Sequence, residues 1–139
     1  NHQGKVVLLD FFASWCQPCV VQAPAIAAVV GEYRPKGVVA LGVSLDRRET
    51  APNLPAFLNR HGIDYPVGGD LLGWDGELDD AYHVDGIPAV VIVGRDGRVA
   101  AVDLIAADPA ETAKRLRMAL EAALDAGQAP AAGGQGFIP

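Results

Sequence analysis

The run Lys5 to Ala13, "KVVLLDFFA", is apolar and rich in β-branched residues, and it ends just before a helix-forming segment. A run of that kind reads as a buried strand. The strand-then-helix alternation continues along the chain. Gln17 to about Tyr33 is expected to be a helix, with apolar residues at Val20, Val21, Ala27, Ala28 and Val29 and the breaker Pro35 just beyond. Val38 to Leu45 follows the turn residue Gly37 and reads as a second buried strand. Asn53 to Arg60 is expected to be a short helix that stops at His61-Gly62, where glycine can take the left-handed cap conformation. Leu78 to Tyr82 adds one more helical turn.

Two apolar runs, Ala89 to Val93 and Arg98 to Ile105, flank "GRDG", the strongest hairpin signal in the chain, so they are expected to be antiparallel neighbours. Asp108-Pro109-Ala110-Glu111 then opens the last helix with an acidic cap, proline at its first position and glutamate at its third, and the helix runs to about Asp125. This order of elements predicts an α/β fold with a mixed central β-sheet flanked by helices on both faces. One domain over residues 1–125 is expected, with a Gly/Ala/Pro-rich tail or linker, "GQAPAAGGQGFIP", filling 126–139.

Composition excludes several classes. A chain of 139 residues, 50% hydrophobic and 20% charged, describes a soluble globular domain with enough core to fold without disulfide support. No apolar run approaches the roughly 20 residues of a membrane span. The formal net charge is -6 and the basic residues are scattered, so a phosphate backbone finds no footprint and nucleic acid is not an expected partner. The chain opens on Asn1 with no signal-peptide pattern before the first strand. A fragment or a processed form is therefore expected, with any export signal or anchor upstream.

Both cysteines fall in Trp15-Cys16-Gln17-Pro18-Cys19, at the carboxyl end of the first strand, where open α/β sheets place their sites. If Gln17-Pro18 starts the helix, Cys16 sits where unpaired N–H groups and the helix dipole favour a thiolate. A CxxC at a helix start can bring the thiol down from about 8.5 to roughly 3.5–7.5. Cys19 lies one turn inward on a more buried face, which makes Cys16 the attacking and Cys19 the resolving thiol. Pro18 lacks an N–H, at little cost in the first turn, and stiffens the loop carrying the pair. Three other uses of the pair compete. Structural zinc needs four ligands, and His2, His61 and His83 stand at no ligand spacing to one another. A purely structural disulfide would close a tiny loop and stabilise little. Cuprous ion suits two thiolates, but no histidine or methionine is placed to complete the site, Met118 being in the last helix.

With "GKVVLLDFFASWCQPC", Pro24 five residues after Cys19, and "GIPAVVIVGRDGRV" far downstream, the chain resembles the thioredoxin superfamily and, within it, the TlpA/ResA-like thiol-disulfide oxidoreductases. The likeness spans roughly Gly4 to Leu124. It implies that Gly86-Ile87-Pro88 is the loop whose proline is cis and faces the cysteines. Ile87 would offer its backbone to an extended substrate segment, and Pro88 would keep an unpaired N–H away from the sulfurs. It implies that Trp15 shields the thiol pair, that Pro24 kinks the helix, and that Asp10 is the buried carboxylate taking the proton of Cys19. The alternative for Asp10 is an ordinary strand-end acid with local hydrogen bonds, but a buried carboxylate is costly unless it has a use. Many members of the branch carry asparagine there, so Asp10 departs toward thioredoxin itself. The long interval around Ser44 to Tyr82 matches the extra element of the TlpA-like branch. Members of the branch usually carry a strand or hairpin before "GKVVLL", where this sequence has Asn1 to Gln3, so either a truncated chain or a minimal version of the fold is expected.

The activity implied is exchange of the Cys16-Cys19 dithiol with disulfides of protein substrates. No cofactor is expected beyond that redox-active disulfide, and no metal. Gln17-Pro18 lacks the histidine that stabilises the thiolate in oxidising relatives, so the couple is expected to lean reducing. The resemblance implies a cell-envelope or periplasmic setting, an upstream thiol electron donor that is membrane-bound, and a monomer. Besides copper handling, the remaining alternative is a docking domain with a vestigial pair. His61 is expected to satisfy carbonyls at a helix end, and His83 to be a strand residue. Asp70, Asp75, Glu77, Asp79 and Asp80 are expected to form a solvated loop face, with Trp74 either contacting a partner or filling a satellite core.

Overall fold

The computed structural model describes residues 4–127. Five strands form one mixed sheet in the order β3-β2-β1-β4-β5, where β1 is Val6–Phe12, β2 Val38–Ser44, β3 Val67–Gly68, β4 Ala89–Val93 and β5 Val99–Ala101. The central β1 runs parallel to β2, from Val6 beside Val38 to Phe12 beside Ser44, and antiparallel to β4, from Val7 beside Val93 to Phe11 beside Ala89. Helices α1 (Gln17–Tyr33) and α2 (Leu54–Arg60) carry the chain from β1 to β2 and from β2 to β3; α3 (Leu78–Ala81) precedes β4 and α4 (Pro109–Gly127) follows β5.

Alternation along β1 sorts its side chains between the two faces. Val6, Leu8 and Phe12 enter the larger core with Ile26, Val29 and Val30 of α1 and Leu116 and Leu120 of α4. Leu9 and Phe11 enter a smaller core closed by Val84 and Val91, with Tyr82 at the end of α3 packed against it. The helices therefore cover both faces unequally. By the same parity Asp10 falls on the α1 side, where it is 3% exposed.

Several expected boundaries are met closely, and one local expectation is corrected. The buried stripe of α1 is Cys19, Gln22, Ala23, Ile26, Val29, Val30 and Tyr33, whereas Val21 is half exposed and Ala28 faces solvent. The segment is apolar almost all round, so composition could not tell its inner face from its outer one. The second arm of the hairpin stops at Ala101 rather than Ile105, because Asp103 takes a φ of 58° and turns the chain out of the sheet. The turn itself closes with a bond from the Gly94 N–H to the Arg98 carbonyl, 2.8 Å, and Gly97 at a φ of 82°. Asp108 caps α4 through the Ala110 N–H at 3.0 Å. That helix continues to Gly127, and the rest of the expected tail, 128–139, lies outside the described residues, as does His2.

Candidate active site

Cys16 is the N-cap of α1, with extended backbone (φ -93°, ψ 105°), and Pro18 stands in the first turn. The next turn brings Cys19 back beneath it, Cα to Cα 5.3 Å, and the two form a disulfide. The Cys19 N–H donates to the Cys16 Sγ at 3.2 Å, so a helix N-terminal donor already points at the outer sulfur. Sequence alone makes Cys19 the more buried of the two. In the disulfide both are buried, at 4% and 3% exposure. What separates them is position: Cys16 stands outside the helix, and Cys19 faces inward.

Beneath the pair, Cys19, Asp10 and Pro88 line one small apolar cavity with Phe12, Phe57 and Ile63. The Ile87–Pro88 peptide is cis. Ile87 packs against both cores, and Ile87 and Pro88 also border a groove of about 910 Å³ that runs past Val84, Val99 and Val102. The outer rim consists of Trp15, 51% exposed, with Gln17 and Pro18 also exposed.

Burial pushes the Asp10 carboxyl up to about 6, and a hydrogen bond from the Tyr65 hydroxyl, 2.6 Å to Oδ2, offsets part of that rise. Such a group is ionised above neutrality yet basic enough to accept a proton.

A second buried carboxylate, Asp46, stands at the end of β2, 1% exposed. It accepts from the Ser14 N–H at 3.0 Å, from the Ser14 hydroxyl at 2.5 Å and from the Ser44 hydroxyl at 2.6 Å. Burial alone would raise its carboxyl, but hydrogen bonds from the Ser14 and Ser44 side chains, from Thr50 and from the Ser14 backbone outweigh it and hold it below the usual value. Asp46 thus fastens the two-residue approach to Cys16. Neither Tyr65 nor Asp46 stands out from sequence alone. The one available signal for Asp46 is its place in "VSLD", at the carboxyl end of a strand beside the first.

The remaining polar residues serve the scaffold. The His61 ring stands edge-on to Phe57, 4.6 Å between centroids, and Phe57 stacks on Phe12 at 5.6 Å. His83 is a turn residue with a φ of 58°, not part of a strand. Within the acidic segment Asp79 is buried, contrary to expectation, with its carbonyl accepting the Val84 N–H at 2.7 Å. Asp75 pairs with Arg47, and Trp74 remains 38% exposed.

A mixed sheet of this order, with a CxxC disulfide opening the helix after its central strand, defines a thioredoxin-fold protein of the thiol-disulfide class. Within that class the chain belongs to the AhpC/TSA family, whose model matches residues 1–102. It is similar to thiol-disulfide oxidoreductase ResA of Oceanobacillus iheyensis, 32% identical over 97 residues, covering 70% of this chain and 48% of the relative. ResA of Bacillus subtilis is 29% identical over 100 residues, covering 72% and 53%. The chain spans about half the length of these curated relatives. Among solved structures it resembles a Chlorobium tepidum protein assigned as the thiol:disulfide interchange protein DsbE, with a TM-score of 0.74, 30% identity and coverage of 88% of this chain and 82% of the other. MTB DsbF, solved in mixed oxidised and reduced forms, gives a TM-score of 0.67 at 26% identity, covering 84% and 82%.

Proposed function

We propose that this chain is a thiol-disulfide oxidoreductase that reduces disulfides of protein substrates in the cell envelope or periplasm. One observation carries the reading: the inner sulfur of a helix-capping CxxC shares a buried cavity with a carboxylate that titrates near 6. In the reduced chain the Cys16 thiolate attacks one sulfur of a substrate disulfide, and the other substrate sulfur leaves as a thiolate. Asp10 takes the proton of Cys19, and the Cys19 thiolate then attacks Cys16 Sγ. The second substrate sulfur leaves, the Cys16–Cys19 disulfide forms, and two electrons have passed to the substrate. Ile87 and Pro88 would hold the substrate segment by edge pairing beside the groove they border, with Trp15, Gln17 and Pro18 shaping the rim. The names of the relatives, ResA and DsbE, support exchange chemistry, and the cell envelope is the setting their branch implies. No described helix is long and apolar enough to cross a membrane. An upstream thiol donor, membrane-bound in our reading, would return the couple to its reduced form, and the chain would act as a monomer without a further cofactor.

Cys19→Ala tests this directly. The variant is expected to accumulate mixed disulfides with proteins of a cell-envelope extract that dithiothreitol releases and that Cys16→Ser/Cys19→Ala lacks. If no adducts form, the pair is vestigial or serves copper. The potential is a second expected result. Because nothing in Gln17-Pro18 stabilises the reduced thiolate further, equilibration with glutathione or dithiothreitol should place the couple nearer about -270 mV than about -120 mV. A value above about -180 mV would overturn the reductant assignment.

A further inference from the structure

We infer that Tyr65 is the positioning residue of the redox site: its hydroxyl holds the Asp10 carboxylate in place and sets the pH at which that carboxylate can take the proton of Cys19. The inference deepens the functional reading above and rests on it. Sheet geometry shows why Tyr65 can do this from 55 residues away. Asp10 of β1 lies beside Gly42 of β2, and Gly42 lies beside Val67 of β3, so the three form one row across the sheet. Tyr65 lies in the bend two residues before Val67, and its side chain is buried in the core that holds Cys19. In the middle of the row there is no side chain. A Cβ on Gly42 would meet Val67 Cγ2 at 2.8 Å and the Phe12 ring at 3.0 Å, so glycine is what lets β3 close in at this point.

The backbone on either side of Tyr65 is held. On one side Asp64 pairs with Arg34 at 2.8 Å, and on the other the Pro66 carbonyl accepts the Gly42 N–H at 2.8 Å. The phenol is 6% exposed, and burial first, then the neighbouring carboxylate, pushes its own ionisation far upward, so it remains a donor at any relevant pH. The groups around Asp10 leave it few other electrostatic partners. Cys19 comes from α1, Phe57 from α2, Ile63 from the following loop and Pro88 from the loop before β4, and of these only Cys19 titrates, and then only when reduced. The long segment between β2 and α3 thus delivers a hydrogen-bond donor to the buried acid.

The test is Tyr65→Phe, which keeps the ring and removes the hydroxyl. In the oxidised chain, the Asp10 carboxyl titration followed by carbon-13 NMR should move upward from about 6, by on the order of one pH unit, the worth of a hydrogen bond to a charged group. In single-turnover assays the pH midpoint for resolution of the mixed disulfide should move with it. Resolution should then slow roughly fivefold at pH 6 and about twofold at pH 7, while attack by Cys16 and the rate at pH 9 stay near wild type. An unmoved Asp10 titration overturns the inference, and so does a moved titration that the resolution profile fails to follow. Tyr65→Leu, which also loses the ring, should shift the same two midpoints; if it shifts them and Phe does not, packing rather than the hydroxyl is responsible and the inference fails. The titration does not depend on activity. A wild-type chain with no exchange at all would therefore sink the functional reading, with the Tyr65–Asp10 link still decided by NMR.

Discussion

Asp10→Asn is expected to make the folded chain less sensitive to pH and more stable above pH 6, at the same time as it slows the chemistry. The buried Asp10 carboxyl is raised from 3.8 to about 6, so the folded state holds its proton more tightly than the unfolded chain does. Linkage then fixes the sign. Stability falls as pH rises through the window from about 4 to about 6 and levels off above it, where the gap corresponds to ~3 kcal/mol lost. Asparagine removes the buried charge but leaves an amide N–H pair to satisfy, at about 1–3 kcal/mol. The net gain at pH 7.5 should therefore be on the order of 1 kcal/mol, with the slope across that window gone. Loss of the proton acceptor should slow resolution of the mixed disulfide by roughly 100-fold or more while leaving attack by Cys16 intact. Urea titrations at several pH values and stopped-flow traces would check both halves. Equal resolution rates would remove Asp10 from the site.

Asp46→Ala should have the opposite effect on stability. Its removal strands the Ser14 N–H and hydroxyl and the Ser44 hydroxyl, donors that now share one ionised acceptor. Losing an acceptor of this kind costs about 3–5 kcal/mol. Because the Asp46 carboxyl is held below its usual 3.8, the stability it supplies is present above that value and is lost as pH falls through the lowered one. Wild type should thus be most stable near pH 4, below which Asp46 becomes protonated and above which the burial of the Asp10 charge costs progressively more, up to about pH 6. The alanine variant should lack the acid-side decline. It should also attack model disulfides more slowly, since Ser14 no longer fixes the approach to Cys16. A variant with wild-type stability and an unchanged acid limb would mean that the three donors find water instead.

The sequence made most of this frame legible through local signals. Pro18 and the breaker Pro35 bracket α1, "GRDG" marks the hairpin, and Asp108-Pro109 opens α4, because each rests on contacts within a few residues. The cysteine pair was legible from its CxxC spacing at a helix start, and the expectations for Asp10 and the proline loop came from the likeness to the thioredoxin superfamily. Legibility failed where a long-range contact or an ambiguous pattern decides the outcome. Nothing in "HGIDYPVGG" signals that its tyrosine meets Asp10, nor does "VSLD" announce that its acid will bind Ser14, 32 positions earlier. The inner face of α1 was hidden by a segment in which nearly every residue could be buried. The early end of β5 depends on Asp103 adopting a left-handed backbone that an apolar run does not foretell.

Both cysteines of the oxidised pair are almost wholly covered, with Cys16 at 4% exposure. Exchange rates depend on access to the sulfur attacked as well as on thiolate supply. A small thiol diffusing past therefore meets a covered bond, whereas a protein substrate docked along the Ile87 loop, as we propose, would have to uncover it as it binds. If the chain is the oxidoreductase we propose, its couple would be insulated: electrons would pass to and from partners that make contact and leak only slowly to the bulk thiol pool.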